Sequence, residues 1–146
     1  MNKILENEYF ILELEKNKLI IKNTDKEIQE KYDNNDIFTE EEKLNKLSDL
    51  ISYYYNFWIL AEKENKKYSQ LFNLNLVMVE VPLSYYFTMT QTFFKLKKIF
   101  TNNLIDTTII SNSHTKKYLD IIFGLYTPVK PVTLVGESEF YDKKCG

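Results

Sequence analysis

Alternating apolar and polar residues near the N-terminus predict a β-hairpin over residues 8–22. Beside Ile11, the residues Phe10, Leu12 and Leu14 alternate with Glu13 and Glu15, which is the period of two expected for a strand with one charged edge. Asn17 lies in a Lys-Asn-Lys turn and is the residue there that most readily adopts a left-handed backbone conformation. The apolar run after this turn predicts the returning strand.

Residues 25–38 are polar and rich in Asp and Asn, but they lack the glycine and distal glutamate of an EF-hand calcium loop. This segment is therefore predicted to be a solvated acidic and Asn-rich loop. Thr39 follows it and begins a capping box with Glu42, which predicts the start of a long helix running to about Asn65.

The long helix places most of its aromatic rings on one arc. Its apolar residues recur every three or four positions, the spacing of a helix with one buried face. Trp58 is predicted to face a sheet, whereas Tyr53 is predicted to point toward solvent. The other residues predicted on the buried arc are Leu44, Leu47, Ile51, Tyr54, Tyr55 and Ala61, with Leu50, Phe57 and Leu60 widening it.

Further elements follow in alternation. Residues 67–81 predict a buried central strand, or one that Asn73 and Asn75 interrupt so that it ends near Leu76 and resumes at 77–81; Pro82 then stops pairing, because proline cannot donate to a ladder. Ser84 is predicted to cap a second helix, and a loop at 102–106 is predicted to lead into a strand at 107–110. Ser113 is predicted to cap a third helix over 115–125, and residues 132–137 predict a last strand. The second helix is predicted to bury Phe87, Met89, Thr90, Phe93, Phe94, Leu96 and Phe100.

The order of elements is therefore β-β-α-β-α-β-α-β. Strands alternating with helices predict a mixed, largely parallel sheet of four to five strands, opened by a hairpin, with three helices mainly on one face. The length of 146 residues fits one α/β domain. Its expected core is 39–138 and its expected tail is 139–146.

Residues 67–100 and 107–138 resemble the sulphate-transporter and anti-sigma-factor-antagonist (STAS) domains. The similarity lies in the hairpin, central strand, helix, short strand, helix and last strand, over roughly residues 9–138. STAS domains that act as phosphoswitches carry an Asp-Ser pair at the start of the helix after the central strand. This chain has Ser84 there without the neighbouring Asp. The resemblance implies a STAS-like fold and a regulatory protein-interaction module that is not an enzyme.

The long aromatic helix before the central strand is similar to a second group, the CRAL-TRIO lipid-transfer domains. In those domains a sheet floor and a mobile helix enclose a lipid. This resemblance implies an alternative function, the binding or carriage of a lipid or another hydrophobic small molecule.

The charge composition argues against nucleic-acid binding. The chain has no arginine, so all 19 basic residues are lysine, and the net charge is −2. Planar bidentate recognition of phosphate or guanine needs the guanidinium group, and nucleic-acid binders show a basic patch.

The scarcity of Arg, Gly and Pro is typical of an AT-rich genome. A viral genome is one of the candidates.

The positions of the cysteine, histidine and glycine residues predict no cofactor and no metal site. Cys145 is the only cysteine and His114 the only histidine, so no ligand spacing is present, and the three glycines form no phosphate-binding loop. A single cysteine favours a reducing compartment. With no transmembrane segment and no signal peptide predicted, the expected location is the cytoplasm.

The candidate binding surface consists of Glu80, Ser84, Ser113 and His114. Glu80 lies near the end of a predicted strand and the other three follow strands of the predicted parallel sheet, where α/β proteins bind their ligands. The expected partner is another protein, and no residue is predicted to be catalytic. A second alternative is a small hydrolase that uses His114. Its acid would be Asp106 or Glu80, and its hydroxyl would come from Ser84, Ser111 or Ser113.

Overall fold

A six-stranded sheet carries helices on one face in the computed structural model, which describes residues 2–24, 39–73, 83–111, 119–120 and 122–136. The strands are β1 (Asn2–Glu6), β2 (Phe10–Glu15), β3 (Lys18–Asn23), β4 (Tyr68–Asn73), β5 (Leu104–Ser111) and β6 (Val132–Gly136). The helices are α1 (Glu40–Lys63), α2 (Leu83–Asn103) and a shorter α3, described at 119–120 and 122–125.

The strands lie in the sheet in their order along the chain. β1, β2 and β3 pair antiparallel, whereas β3, β4, β5 and β6 pair parallel. The α/β architecture is as predicted, but the prediction of four to five largely parallel strands was wrong in number and in parallel character. Each parallel strand lies beside its predecessor, so right-handed crossovers place their helices on the same face.

The strand missing from the prediction is β1. Its register against β2 shifts between Lys3 and Leu5, which marks a β-bulge or similar irregularity. An extra residue interrupts the alternation of apolar and polar positions that identifies a strand. Ile4 and Leu5 are consequently adjacent in the sequence although both pack against the core.

The turn between β2 and β3 differs in one detail from the prediction. The two strands pair without a bulge from Phe10 opposite Asn23 to Glu15 opposite Lys18. Lys16 takes the positive φ of 55°, whereas Asn17 was expected to take it. The left-handed position therefore falls one residue earlier in the turn.

The predicted elements around α2 are partly confirmed. β4 lies within the predicted strand but ends at Asn73, and residues 74–82 lie outside the described part. Ser84 was predicted to cap α2, but the helix begins at Leu83, so Ser84 lies inside its first turn. Residues 119–120 and 122–125 are helical as predicted, and β6 matches the predicted last strand. The predicted loop 25–38 and tail 139–146 lie outside the described residues.

The loop predicted at 102–106 is absent, because β5 begins at Leu104, directly after the last residue of α2. The buried Asn103 side chain donates hydrogen bonds to the carbonyl oxygens of Ala61 at 3.3 Å and Lys66 at 2.8 Å. The Ala61 carbonyl also accepts the Lys66 N–H at 3.0 Å, so the Asn103 side chain joins the C-terminal end of α1 to the junction of α2 and β5.

The main arc of the aromatic helix α1 is arranged as predicted, but Leu60, which was predicted to widen the buried arc, is 50% exposed. The Thr39 hydroxyl accepts a hydrogen bond from the Glu42 backbone at 3.1 Å, and the Glu42 carboxylate reaches back to Thr39, which confirms the capping box. Trp58 is 0% exposed, whereas Tyr53 is 47% exposed. The aromatic side chains of α1 therefore belong mostly to the core, whereas Tyr53 is directed outward.

The predicted face of α2 needs a correction. Leu96, Phe100 and Thr90 are buried as predicted, but Phe87 and Phe94 are exposed. They lie about half a turn around the helix from Leu96, at a rotation of roughly 100° per residue. Apolar residues surround much of α2, so its sequence pattern overstates the width of the buried face.

A chain of buried polar side chains crosses the core. The Tyr54 hydroxyl donates to Oε1 of Gln70 at 2.5 Å, and Nε2 of Gln70 donates to Oγ1 of Thr107 at 2.9 Å. Burial raises the pKa of Tyr54 far above its ordinary value, so the hydroxyl stays protonated and remains a donor. The three side chains link α1, β4 and β5.

Replacing Trp58 with alanine tests the buried arc of α1. We expect Trp58→Ala to reduce the free energy of unfolding by about 3–5 kcal/mol, since it removes a fully buried ring from the core. Tyr53→Ala should change it by less than about 1 kcal/mol. Chemical denaturation followed by circular dichroism measures both. Equal losses would contradict the arrangement, as would tryptophan fluorescence that acrylamide quenches freely.

A double-mutant cycle tests the polar chain. Tyr54→Phe and Gln70→Leu should each cost about 1–3 kcal/mol, because each leaves a buried polar partner without its hydrogen bond. The double variant should cost less than the sum of the single variants by at least about 0.5 kcal/mol. Additive losses would show that the two side chains are not coupled.

Candidate functional site

The four parallel strands end at one edge of the sheet, which we call the carboxyl edge. Asn73 at the end of β4 lies beside Ile110, and Ser111 at the end of β5 lies beside Gly136 at the end of β6. Helix α2 returns from β4 to the start of β5 and therefore begins at the same edge. In α/β sheets this edge is where ligands generally bind.

The residues predicted for the binding surface are mostly outside the described part of the chain. The structure places the backbone of Ser84 in the first turn of α2, at the carboxyl edge, and does not describe its side chain. Glu80, Ser113 and His114 lie outside the described residues. Their mutual geometry therefore stays a prediction.

One acid considered for a hydrolase lies far from the carboxyl edge. Asp106 is exposed near the start of β5, whereas Ser111 ends that strand. Five residues of extended strand separate their backbones by roughly 16 Å. Asp106 and Ser111 therefore do not share a site.

A group of hydrogen bonds lies at the carboxyl edge beside β2 and β3. We call the residues that form it, Asn7 to Phe10 and Thr24, the hydrogen-bonded corner. Oδ1 of Asn7 accepts hydrogen bonds from the backbone N–H groups of Tyr9 and Phe10, both at 2.9 Å. The Thr24 hydroxyl donates to the Glu8 carbonyl at 2.6 Å, and the Thr24 N–H donates to the Tyr9 carbonyl at 2.9 Å. These bonds hold the β1–β2 connection against the end of β3.

An ion pair joins this corner to α1. Oε2 of Glu8 lies 2.7 Å from Nζ of Lys46, and Nδ2 of Asn7 is 3.4 Å from the Lys46 carbonyl oxygen. Burial disfavours ionisation of Glu8, but hydrogen bonding and the Lys46 charge outweigh burial and hold the pKa of Glu8 below its ordinary value. The carboxylate is therefore stabilised in its charged form.

Exposed rings on α2 form a surface that sequence reasoning assigned to the core. Phe87 is 43% exposed and Phe94 is 50% exposed, and with exposed Gln91 and Lys98 they form one line along the helix. We call this line the α2 stripe. It starts one helical turn after Ser84, next to the carboxyl edge. The signal that could have identified it is the spacing of Phe87 and Phe94, seven residues apart and opposite Leu96.

The α2 stripe rests on a buried ring. Phe94 packs edge-to-face against Tyr126, with ring centroids 5.3 Å apart. Tyr126 also contacts Phe93 at 5.7 Å, and burial raises the pKa of its hydroxyl above the ordinary value. Phe94 is therefore supported on its inner side while half of its surface faces solvent.

The described residues contain no group of three or more His, Cys, Asp or Glu side chains placed to hold a metal ion. In the same part of the chain, no helix has both the length and the apolar character needed to cross a bilayer.

Comparison with known proteins gives no assignment. No protein-family model matches the chain, and no curated protein or solved structure is similar to it at a significant level.

The Glu8–Lys46 ion pair should make stability depend on pH. Because the folded-state pKa of Glu8 is lowered from about 4.5, its stabilisation is present above that pH and is lost as pH falls through the folded-state value. We expect Glu8→Gln to cost up to about 1 kcal/mol at pH 7 and nearly nothing at about pH 2. Urea denaturation across this range measures the difference. A cost independent of pH, or an equal effect from Glu62→Gln at an exposed site, would contradict the prediction.

Proposed function

We propose that this chain is a protein-interaction module without enzymatic activity, which binds another protein through the α2 stripe and the adjoining carboxyl edge. The exposure of Phe87 and Phe94 carries the proposal. Two half-exposed phenylalanines on one helical line provide the apolar anchors that protein interfaces bury at their centres.

The spacing of the α2 stripe suits one mode of recognition. Phe87, Gln91, Phe94 and Lys98 lie at positions i, i+4, i+7 and i+11, the pattern of a helix that inserts into a groove. Lys98 at the end of the stripe adds a positive charge, and α2 has no acidic residue in its first turn. The partner we propose therefore has an apolar groove with an acidic rim near one end.

The contents of the core favour this function over lipid carriage. Trp58 packs edge-to-face on Phe100 with centroids 5.3 Å apart, and Tyr54 lies 5.9 Å from Phe72 and 6.4 Å from Phe93. These contacts fill the space between α1, α2 and the sheet, where a CRAL-TRIO-like domain would enclose its lipid. The aromatic residues that suggested lipid carriage are therefore largely packed against one another in the core.

The strand and helix order also supports the proposal. The resemblance to STAS domains rests on an alternation of strands and helices, and β2 to β6 also alternate with helices, although α1 before β4 departs from the STAS pattern. Fold similarity alone does not specify a function. The residues that we assign to the interface are therefore the α2 stripe, with Ser84, Glu80, Ser113 and His114 as the predicted polar surroundings.

Affinity purification from extracts of the native cells tests the proposed function. We compare the wild-type chain with Phe87→Ser/Phe94→Ser and identify captured proteins by quantitative mass spectrometry. A partner should be enriched with the wild type and reduced at least about tenfold with the double variant, which corresponds to losing at least 1.4 kcal/mol of binding.

Tyr53→Ser/Leu60→Ser is the matched control, because these two residues are also seven apart on a helix and are similarly exposed. The control should capture the partner as the wild type does, and thermal melts verify that both variants fold. Equal capture by wild type and the Phe87→Ser/Phe94→Ser variant would overturn the assignment to the α2 stripe. A co-purified lipid in native mass spectrometry, with no enriched protein, would favour lipid carriage instead.

A further inference from the structure

The two outer strands of the described sheet differ in how they are protected against further pairing. β1 carries Lys3 and Glu6, which form an ion pair, and its register shifts between Lys3 and Leu5. Charges and irregularities of this kind discourage edge-to-edge association. β6 has the sequence Val-Thr-Leu-Val-Gly, with no charge and no proline, and Leu134 is 52% exposed.

The backbone of β6 has hydrogen-bonding groups directed outward. The N–H of Thr107 donates to the carbonyl oxygen of Pro131 at 2.9 Å, and Thr107 lies beside Val132 in the parallel ladder. Because successive residues of a strand direct their N–H and C=O groups to alternate sides, residues 131, 133 and 135 bond to β5. The groups of Val132, Leu134 and Gly136 therefore point away from β5. Among the described strands, none pairs with this side of β6.

We propose that β6 pairs antiparallel with β6 of a second copy of this chain, so that one continuous sheet crosses both copies. The two-fold axis passes beside Leu134, and each Leu134 donates to and accepts from Leu134 of the second copy. Val132 then lies opposite Gly136 of the second copy, where the absence of a side chain leaves room for the valine. This surface is separate from the α2 stripe.

The composition of β6 argues for a second copy as its partner. A strand that pairs with itself about a two-fold axis places like residues near one another, so any charge at its centre would face an equal charge. β6 carries no charge, and its central residue is an exposed leucine on the helix-bearing face. In the hydrogen-bonded pair the two Leu134 Cα atoms would lie about 5.5 Å apart, and each side chain would cover the other.

The expected dimer is weak. A pairing of two five-residue strands buries less surface than the roughly 1,200 Å² or more that stable interfaces reach. Association should therefore appear only at high protein concentration. Sedimentation velocity of the complete chain, over about 10 μM to 1 mM, covers the range from micromolar to millimolar dissociation constants.

Two substitutions distinguish the loss of the proposed Leu134 contact from a general effect of added charge on dimerisation. Leu134→Lys places like charges beside the two-fold axis, and we expect it to weaken dimerisation at least about tenfold. Thr133→Lys adds the same charge to the same strand, but it faces Val135 of the second copy and should weaken dimerisation less. Phe87→Ser/Phe94→Ser should leave the dimer unchanged, so failure of the proposed function and failure of this inference are distinguishable.

Cross-linking supplies a second measurement that does not depend on dimer strength. In a Cys145→Ser background, Leu134→Cys should form an intermolecular disulfide under mild oxidation, because Cα atoms about 5.5 Å apart suit disulfide geometry. Thr133→Cys should cross-link much more slowly. A wild-type chain that stays monomeric to about 1 mM, with equal cross-linking of both cysteine variants, would overturn the proposal. A dimer that Leu134→Lys does not weaken would also overturn it.

Discussion

The packing of Trp58 between two helices and the sheet is the contact on which the other described elements depend. This ring lies edge-to-face against Phe100 of α2 at 5.3 Å and against Tyr68 of β4 at 6.3 Å. Because it belongs to α1, one side chain joins this helix to the next strand, β4, and to α2, whose Phe100 is far along the chain. Among the described residues its buried indole N–H has no partner within hydrogen-bond geometry, and its contribution comes mainly from burial and ring contacts. The aromatic residues of the core therefore serve mainly to stabilise the fold.

Apolar packing of this kind holds layers together but does not by itself select one strand register, and the polar side chains in the core supply that selectivity. Gln70 bonds to Thr107 of β5 and to Tyr54 of α1, so sliding β4 against β5 breaks the first bond and shifting β4 against α1 breaks the second. Asn103 fixes the join of α2 and β5 to the end of α1 in the same way. The packed rings therefore hold the layers together, and the polar hydrogen bonds select the strand register.

This arrangement also determines which apolar groups remain outside. The helices lie on one face of the sheet, so α2 keeps a solvent-facing side on which Phe87 and Phe94 stand, and β6 remains at the edge with Leu134 exposed. None of these three side chains is needed to close the core. Their apolar character at exposed positions is therefore more informative about association than the much larger number of buried rings.

Local sequence signals identified the hairpin, the start of α1, the burial of Trp58 and the alternation of strands with helices. These features depend on residues a few positions apart, such as Thr39 and Glu42 in the capping box. The sequence also predicts that the candidate residues lie at the carboxyl edge, because α/β sheets generally bind ligands beyond the ends of their parallel strands. The arrangement of Glu80, Ser113 and His114 at that edge stays a prediction.

Tertiary structure decided the features for which the relevant partner is far along the chain. β5 begins at Leu104, directly after Asn103, whose side chain bonds to Ala61, 42 residues away, and no local pattern reports that contact. Ile4 and Leu5 belong to a strand because β2 accommodates the irregularity between them. Phe94 faces solvent although its sequence surroundings are apolar, since the side of α2 that is buried depends on where α1 and the sheet lie. Periodicity gives a helix its apolar residues, but only packing determines which of them become surface.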